Sequence, residues 1–298
     1  MEWHDRKDAI LRRTAQHPVL RLGEGDEAEV YALDQDRIIR FFKRHVDPTY
    51  IAKRGAFYAG LDASTVAFAI PSIIEHGIDG DVCYSIERRI PGSSLVDLLA
   101  RLKGEAREDA LTAYAGAVTA IRRIGYNGHV GYGEVMADPP IRSDTWKTCV
   151  LTKAETCLRE SRIRLRDGIV EPERALRILE RMLAYHGPVE RHLVHGDFYS
   201  ANVIVEAEGT VTGVIDFGPL TLVGDWRLDA ASALLYLTGM DGITEEDKKV
   251  VHSCLTAIGL REQDVALYRL FYAFLFLDTK KAALLDWCRG TIETACSA

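Results

Sequence analysis

A chain of 298 residues, 47% hydrophobic and 27% charged, has the composition of a soluble globular protein and can bury a sizeable core in one large domain or two lobes. Its formal charge of −7 argues against a nucleic-acid surface and is compatible with a cationic ligand. The N-terminus lacks the apolar core of a signal peptide, the run Leu270 to Leu277 is too short to span a bilayer, and six cysteines without CxxC spacing read as buried or idle thiols, so a cytoplasmic location away from membranes is expected.

The pattern predicts a short helix over residues 5 to 16, then strands over Val19 to Leu22, Glu29 to Leu33 and Arg37 to Lys43. Between the first two strands, Gly23 to Val30 reads Gly-x-Gly-x-x-Ala-x-Val, close to the Gly-rich loop that covers nucleotide phosphates in kinases. Glycines at Gly23 and Gly25 would let backbone N–H groups approach phosphate oxygens with no Cβ in the way. Glu24, Asp26, Glu27 and Glu29 crowd this loop with acids, which are expected to point to solvent. Pro48 to Leu61 reads as a helix without a single Glu, and Asp81 to Arg88 as a strand.

Residues 93 to 190 are helical in pattern, with Leu111, Tyr114, Val118 and Ile121 forming one buried stripe. Ser143 is a candidate cap for a helix carrying Trp146, Val150, Ala154 and Cys157 on one face, and Pro172 fits the first turn of another. Thr244 to Asp247 resembles a capping box, with Asp where Glu or Gln is usual. Among the acids of this half, Asp229, Asp241, Glu245, Glu246, Asp247, Asp278 and Asp286 read mainly as solvated helix faces, with a cationic-substrate groove as the alternative.

The chemistry concentrates between His195 and Gly218. Val203 to Val205 and Val211 to Ile215 read as the two strands of a hairpin around the turn Glu206 to Gly209. Asn202 and Asp216 therefore meet at one end, with Asp197 in the loop just before them. Two carboxylates and a carboxamide converge where a hard cation could bind beside a nucleotide's phosphates. Asp followed five positions later by Asn, then a distant Asp-Phe-Gly, is the order of base and two metal ligands in kinases. Only five residues, Pro219 to Val223, separate Gly218 from Gly224, too few for the activation segment on which a protein kinase binds peptides. That count favours a small-molecule acceptor.

His195-Gly196-Asp197-x-x-x-x-Asn202 followed by Ile215-Asp216-Phe217 resembles the aminoglycoside phosphotransferase family, the small-molecule branch of the kinase fold. Tyr84 to Arg89, the Trp146 region and Arg191 to His195 are most similar to hygromycin-type members. The resemblance implies an α+β, bilobal, protein-kinase-like fold: a small β-rich nucleotide-binding lobe over residues 1–90, a larger, mainly helical catalytic and substrate-binding lobe over 91–298, and a hinge at about 86–92. It implies transfer of the γ-phosphate of ATP or GTP, with Mg²⁺, to a hydroxyl of a small molecule such as an aminoglycoside antibiotic. Asp197 would be the catalytic base, and Asn202 and Asp216 the metal ligands. Arg40 would steady the phosphates, and Glu87 and Arg89 would meet the base through main-chain atoms. Val30, Ile38, Ile204 and Ile215 would sandwich the base, and Asp225 would hold the catalytic loop. The same motifs fit a metabolite kinase acting on a sugar, amino alcohol or amino acid. The missing helical Glu leaves room for a nucleotide-binding module without catalysis.

Overall fold

In a computed structural model of the chain, the described residues are 3–15, 19–25, 27–43, 46–128, 131–165 and 172–297. Asp26 lies outside them. The N-terminal part comprises α1 (Trp3–Thr14), β1 (Leu20–Glu24), β2 (Ala28–Ala32), β3 (Arg37–Phe42), α2 (Pro48–Ala59), β4 (Leu61–Asp62), β5 (Ile73–Asp79) and β6 (Val82–Arg88). Strands β1, β2, β3, β6 and β5 lie in that order in one antiparallel sheet. Helix α1 buries Trp3, Ile10 and Leu11 against Ile39, Phe41, Val82 and Ile86 of this sheet.

Helix α2 starts on a local signal, because Asp47 accepts the Thr49 N–H at 2.8 Å and Pro48 has no N–H to leave unpaired. Its far face carries Phe57 and Tyr58 onto Phe217, with ring centroids 5.9 and 6.3 Å away. The N-terminal part thus reaches the Asp216-Phe217 segment through one helix and, by way of Arg40 of β3, through its sheet.

The C-terminal part continues with β7 (Ser93–Ser94), α3 (Leu95–Leu99), α4 (Gly104–Ile121), β8 (Gly125–Tyr126), β9 (Tyr132–Glu134), β10 (Arg142–Ser143), α5 (Trp146–Leu165) and α6 (Pro172–Tyr185). After these come β11 (His192–Val194), a 3₁₀ turn (Ser200–Asn202), β12 (Val203–Val205), β13 (Val211–Val214), β14 (Leu222–Gly224), α7 (Arg227–Thr238), α8 (Glu245–Ala257), α9 (Glu262–Leu275) and α10 (Ala282–Ser297). The architecture is mixed α+β, β-rich first and helical afterwards, as expected.

Three details differ from the sequence expectations. The helical stretch is interrupted at β8–β10, where β9 joins β10, β14 and β11 in a four-stranded sheet. Helix α5 is capped by Thr145, whose hydroxyl accepts the Thr148 N–H, because Ser143 is already paired with Tyr132 in the ladder. Glu29 does not face solvent: Lys7 of α1 binds it at 2.7 Å and Tyr31 donates to the same oxygen. The stripe Leu111, Tyr114, Val118 and Ile121 is fully buried, and α8 carries the Thr244–Asp247 capping box.

Candidate active site

The hairpin of β12 and β13 pairs Val203 with Val214, and the Ile215 N–H donates to the Asn202 carbonyl at 2.8 Å. That register brings Asn202 and Asp216 to its open end. The Asn202 side chain donates from Nδ2 to the Asp197 carbonyl at 3.1 Å, which commits its nitrogen and leaves the amide oxygen for another partner. His195 adds a second tie. Its Nδ1 accepts the Asp197 N–H at 3.3 Å, so Nε2 carries the proton and donates to the Ile215 carbonyl at 2.8 Å. The loop bearing Asp197 and the strand end bearing Asp216 are thereby locked together. Asp216 itself sits at φ 62°, a left-handed backbone that non-glycine residues adopt at a cost and that recurs at functional sites.

A ring of buried groups holds the loop from below. Asp229 accepts the His195 and Gly196 N–H groups, each at 2.8 Å, while Tyr272 donates to the Gly196 carbonyl at 2.7 Å. Tyr114 and Ser232 both donate to the Phe198 carbonyl, and Thr221 donates to that of His195. Burial pushes the Asp229 carboxyl up to about 6, against the pull of His195 and the two amides. Asp229 is therefore neither a solvated helix residue nor part of a groove. Nor is Asp225 the group that touches the loop: it lies buried between Tyr268, Arg227 and His186.

Gly196 has φ +79°, and a Cβ there would run into the Leu220 carbonyl. A side chain between His195 and Asp197 is thus forbidden by the short return segment after Asp216.

Asp197 is half-buried, and its Oδ1 accepts a hydrogen bond from the Tyr236 hydroxyl. Sequence reading placed His195 only in the motif and Asp229 only among the acids, and it missed Tyr236, whose partner lies in another element.

The side expected to take the nucleotide is built from charge. Arg40 of β3 points inward, whereas Lys43, just after the strand, pairs with Glu24 at the end of β1 at 3.2 Å. Arg40 places Nη1 2.9 Å from Asp216 Oδ1 and Nε 3.3 Å from Glu87 Oε1, the second contact misaligned for a hydrogen bond. Arg54, 1% exposed, reaches the same Asp216 oxygen at 2.8 Å and bonds Tyr58 through Nε. Helix α2 thus supplies a cation where a kinase supplies a Glu, and Glu87 of β6 supplies the anion. Burial opposes the ionised form of Asp216, but Arg40 and Arg54 outweigh it and hold the carboxyl far below its usual range.

Glu87 is in register with Ile38 on one side and Ile73 on the other, so its buried side chain, rather than a free main-chain edge, is what it brings to the cleft. The Arg89 N–H donates to the Asp36 carbonyl, which leaves its carbonyl as the main-chain group for a base. Val30, Ile38, Ile204 and Ile215 are all half-buried, and none belongs to a hydrophobic core cluster. At Gly23 and Gly25 a Cβ would meet nothing within 4 Å, so the fold itself does not demand glycine there. The open space suits a ligand that presses on the backbone. The donor set at the hairpin end is oxygen only, from Asn202 and Asp216, which fits a hard divalent cation such as Mg²⁺.

Residues 18–261 match the model of the phosphotransferase enzyme family. The chain is 26% identical over 221 residues to the hygromycin-B 4-O-kinase of Escherichia coli, covering 73% of this chain and 62% of that protein's length. Among solved structures, a thermostable variant of aminoglycoside phosphotransferase APH(4)-Ia with AMP-PNP and hygromycin B superposes with a TM-score of 0.72 at 20% identity, over 99% of this chain and 98% of the other. The streptomycin–ATP complex of APH(2")-IIa gives 0.65 at 14% identity, over 100% and 97%.

Proposed function

This chain belongs to the phosphotransferase enzyme family, and from that premise we propose that it moves the γ-phosphoryl group of ATP or GTP to a hydroxyl of a small-molecule antibiotic, an aminoglycoside such as hygromycin B first among them. The observation that carries this reading is the double tie through Asn202 and His195, which sets the Asp197 loop beside Asp216. In the reaction, the acceptor oxygen bonds to the γ-phosphorus as the bond to the nucleoside diphosphate breaks, and the acceptor proton passes to Asp197. A divalent cation held by Asn202 and Asp216 would supply charge neutralisation to the phosphates. Arg40 would draw on its place at the cleft to grip phosphate oxygens in a fork. The loop at Gly23 and Gly25 would cover them, and Val30, Ile38, Ile204 and Ile215 would enclose the base near the Arg89 carbonyl. On this reading the nucleotide lobe ends and the acceptor lobe begins at about 86–92.

Glu87 supports catalysis over mere nucleotide binding, since it fills the anionic place that α2 leaves open. Incubation with Mg-ATP or Mg-GTP and hygromycin B, gentamicin or streptomycin should add the mass of one phosphate to at least one drug, with one nucleoside diphosphate released per transfer. Transfer to a sugar, amino alcohol or amino acid alone would keep the chemistry and replace the acceptor. No transfer to any of them would end the proposal.

A further inference from the structure

Helix α7 meets the catalytic loop along one face. Asp229, Ser232 and Tyr236 stand at i, i+3 and i+7, so their side chains stack over two turns on a single side. Each touches a different part of the same short segment: Asp229 the N–H groups of His195 and Gly196, Ser232 the Phe198 carbonyl, and Tyr236 the side chain of Asp197. The first two are backbone contacts that shape the loop. The third is made to the reacting carboxylate itself.

We infer that Tyr236 is a positioning residue of phosphoryl transfer: its hydroxyl fixes the Asp197 carboxylate plane by occupying Oδ1, so that Oδ2 is the oxygen offered to the acceptor hydroxyl. This deepens the phosphotransfer reading and rests on it. A carboxylate on a half-buried loop residue can rotate about its terminal bond, which is broad and roughly two-fold for Asp. A bonded phenol removes that freedom before the acceptor arrives, which is the orientation effect that lowers a barrier without touching substrate affinity. The phenol is also suited to remain a donor. Burial and the adjacent Asp197 charge raise the Tyr236 hydroxyl far above its usual range, so it does not compete as an anion. The Tyr199 ring packs against it at 5.1 Å between centroids and steadies its direction.

The test compares Tyr236→Phe and Tyr185→Phe in the full chain, with hygromycin B, gentamicin or streptomycin as acceptor and Mg-ATP hydrolysis without acceptor as a second assay. Loss of a hydrogen bond to a charged group predicts a fall in kcat of about ten- to a hundredfold for Tyr236→Phe, with KM for nucleotide and acceptor unchanged. Tyr185→Phe, at the exposed end of α6, should keep kcat within about twofold. Thermal unfolding of both variants checks that the fold survives. Equal kcat in wild type and Tyr236→Phe would overturn the inference alone, as would a loss confined to KM. A wild-type protein that neither phosphorylates a drug nor hydrolyses Mg-ATP would overturn the phosphotransfer reading, and the inference with it.

Discussion

The loop from His195 to Asn202 and the glycine loop are held by different means. Between His195 and Asn202, backbone groups and side chains bond to β14's approach, α4, α7, α9 and the hairpin, almost all of it buried. Strand β1, which leads into the glycine loop, is exposed along its whole length, with Leu20 and Leu22 facing outward. Further along the N-terminal part, what fixes Asp216 is a charge cluster with Arg40, Arg54 and Glu87. The His195–Asn202 loop is therefore preorganised by hydrogen bonds, while Gly23 and Gly25 keep open space around them. Buried hydrogen bonds specify geometry, and an exposed strand with little packed against it opens at low cost.

The contrast can be broken most severely at Asp197. Asp197→Ala should lower kcat by about a hundred- to ten-thousandfold while nucleotide affinity, measured by equilibrium titration, stays within twofold or so. Turnover surviving within about tenfold would remove Asp197 from its assigned role. The two glycines sharpen the comparison directly. Gly196→Ala must clear the Leu220 carbonyl from a left-handed backbone, so a loss of about 2–4 kcal/mol is expected in denaturant unfolding. Gly25→Ala meets empty space and should leave stability within about 0.5 kcal/mol. Its effect should instead fall on the KM for nucleotide. If the two variants unfold alike, the distinction between the two loops is wrong.

The smallest effect is a control outside the cleft. Arg107 bonds Asp247 through Nε and Nη2, and with the Thr244 amide it holds that carboxyl down at about 2 against the cost of burial. A depressed folded value means that its stabilisation is complete above the ordinary carboxylate value of 3.8 and is lost as pH falls through about 2. The stability gap between wild type and Asp247→Asn should be flat from neutral pH to about 4 and narrow below it. A gap that instead narrows above pH 6 or so would contradict the assignment.

Much of this was legible locally. The order of Asp197, Asn202 and Asp216, the hairpin between them, the stripe on α4 and the Thr244 cap all follow from spacing within a few residues. The rest depends on partners far apart in the chain. Arg54 and Asp216 are separated by 162 positions, and no periodicity in α2 marks one buried arginine as the answer to a missing Glu. Glu87 alternates correctly for a strand, so its charge alone could not say that it faces Arg40. Asp229 looked like one more acid on a helix because burial, not residue type, decides its role. Tyr236 belongs to the same class, an ordinary helical tyrosine until the fold carries Asp197 to it.

Strand β14 occupies the place where a protein kinase keeps a segment that can be rearranged. Here it is paired on both edges, to β11 and to β9, and Thr221 just before it is bonded to the loop beneath. Releasing it would tear a four-stranded sheet and uncover the catalytic loop at once. A segment held this way is a fixed wall of the sheet, and a switch built on its movement would cost the pairing on both of its edges.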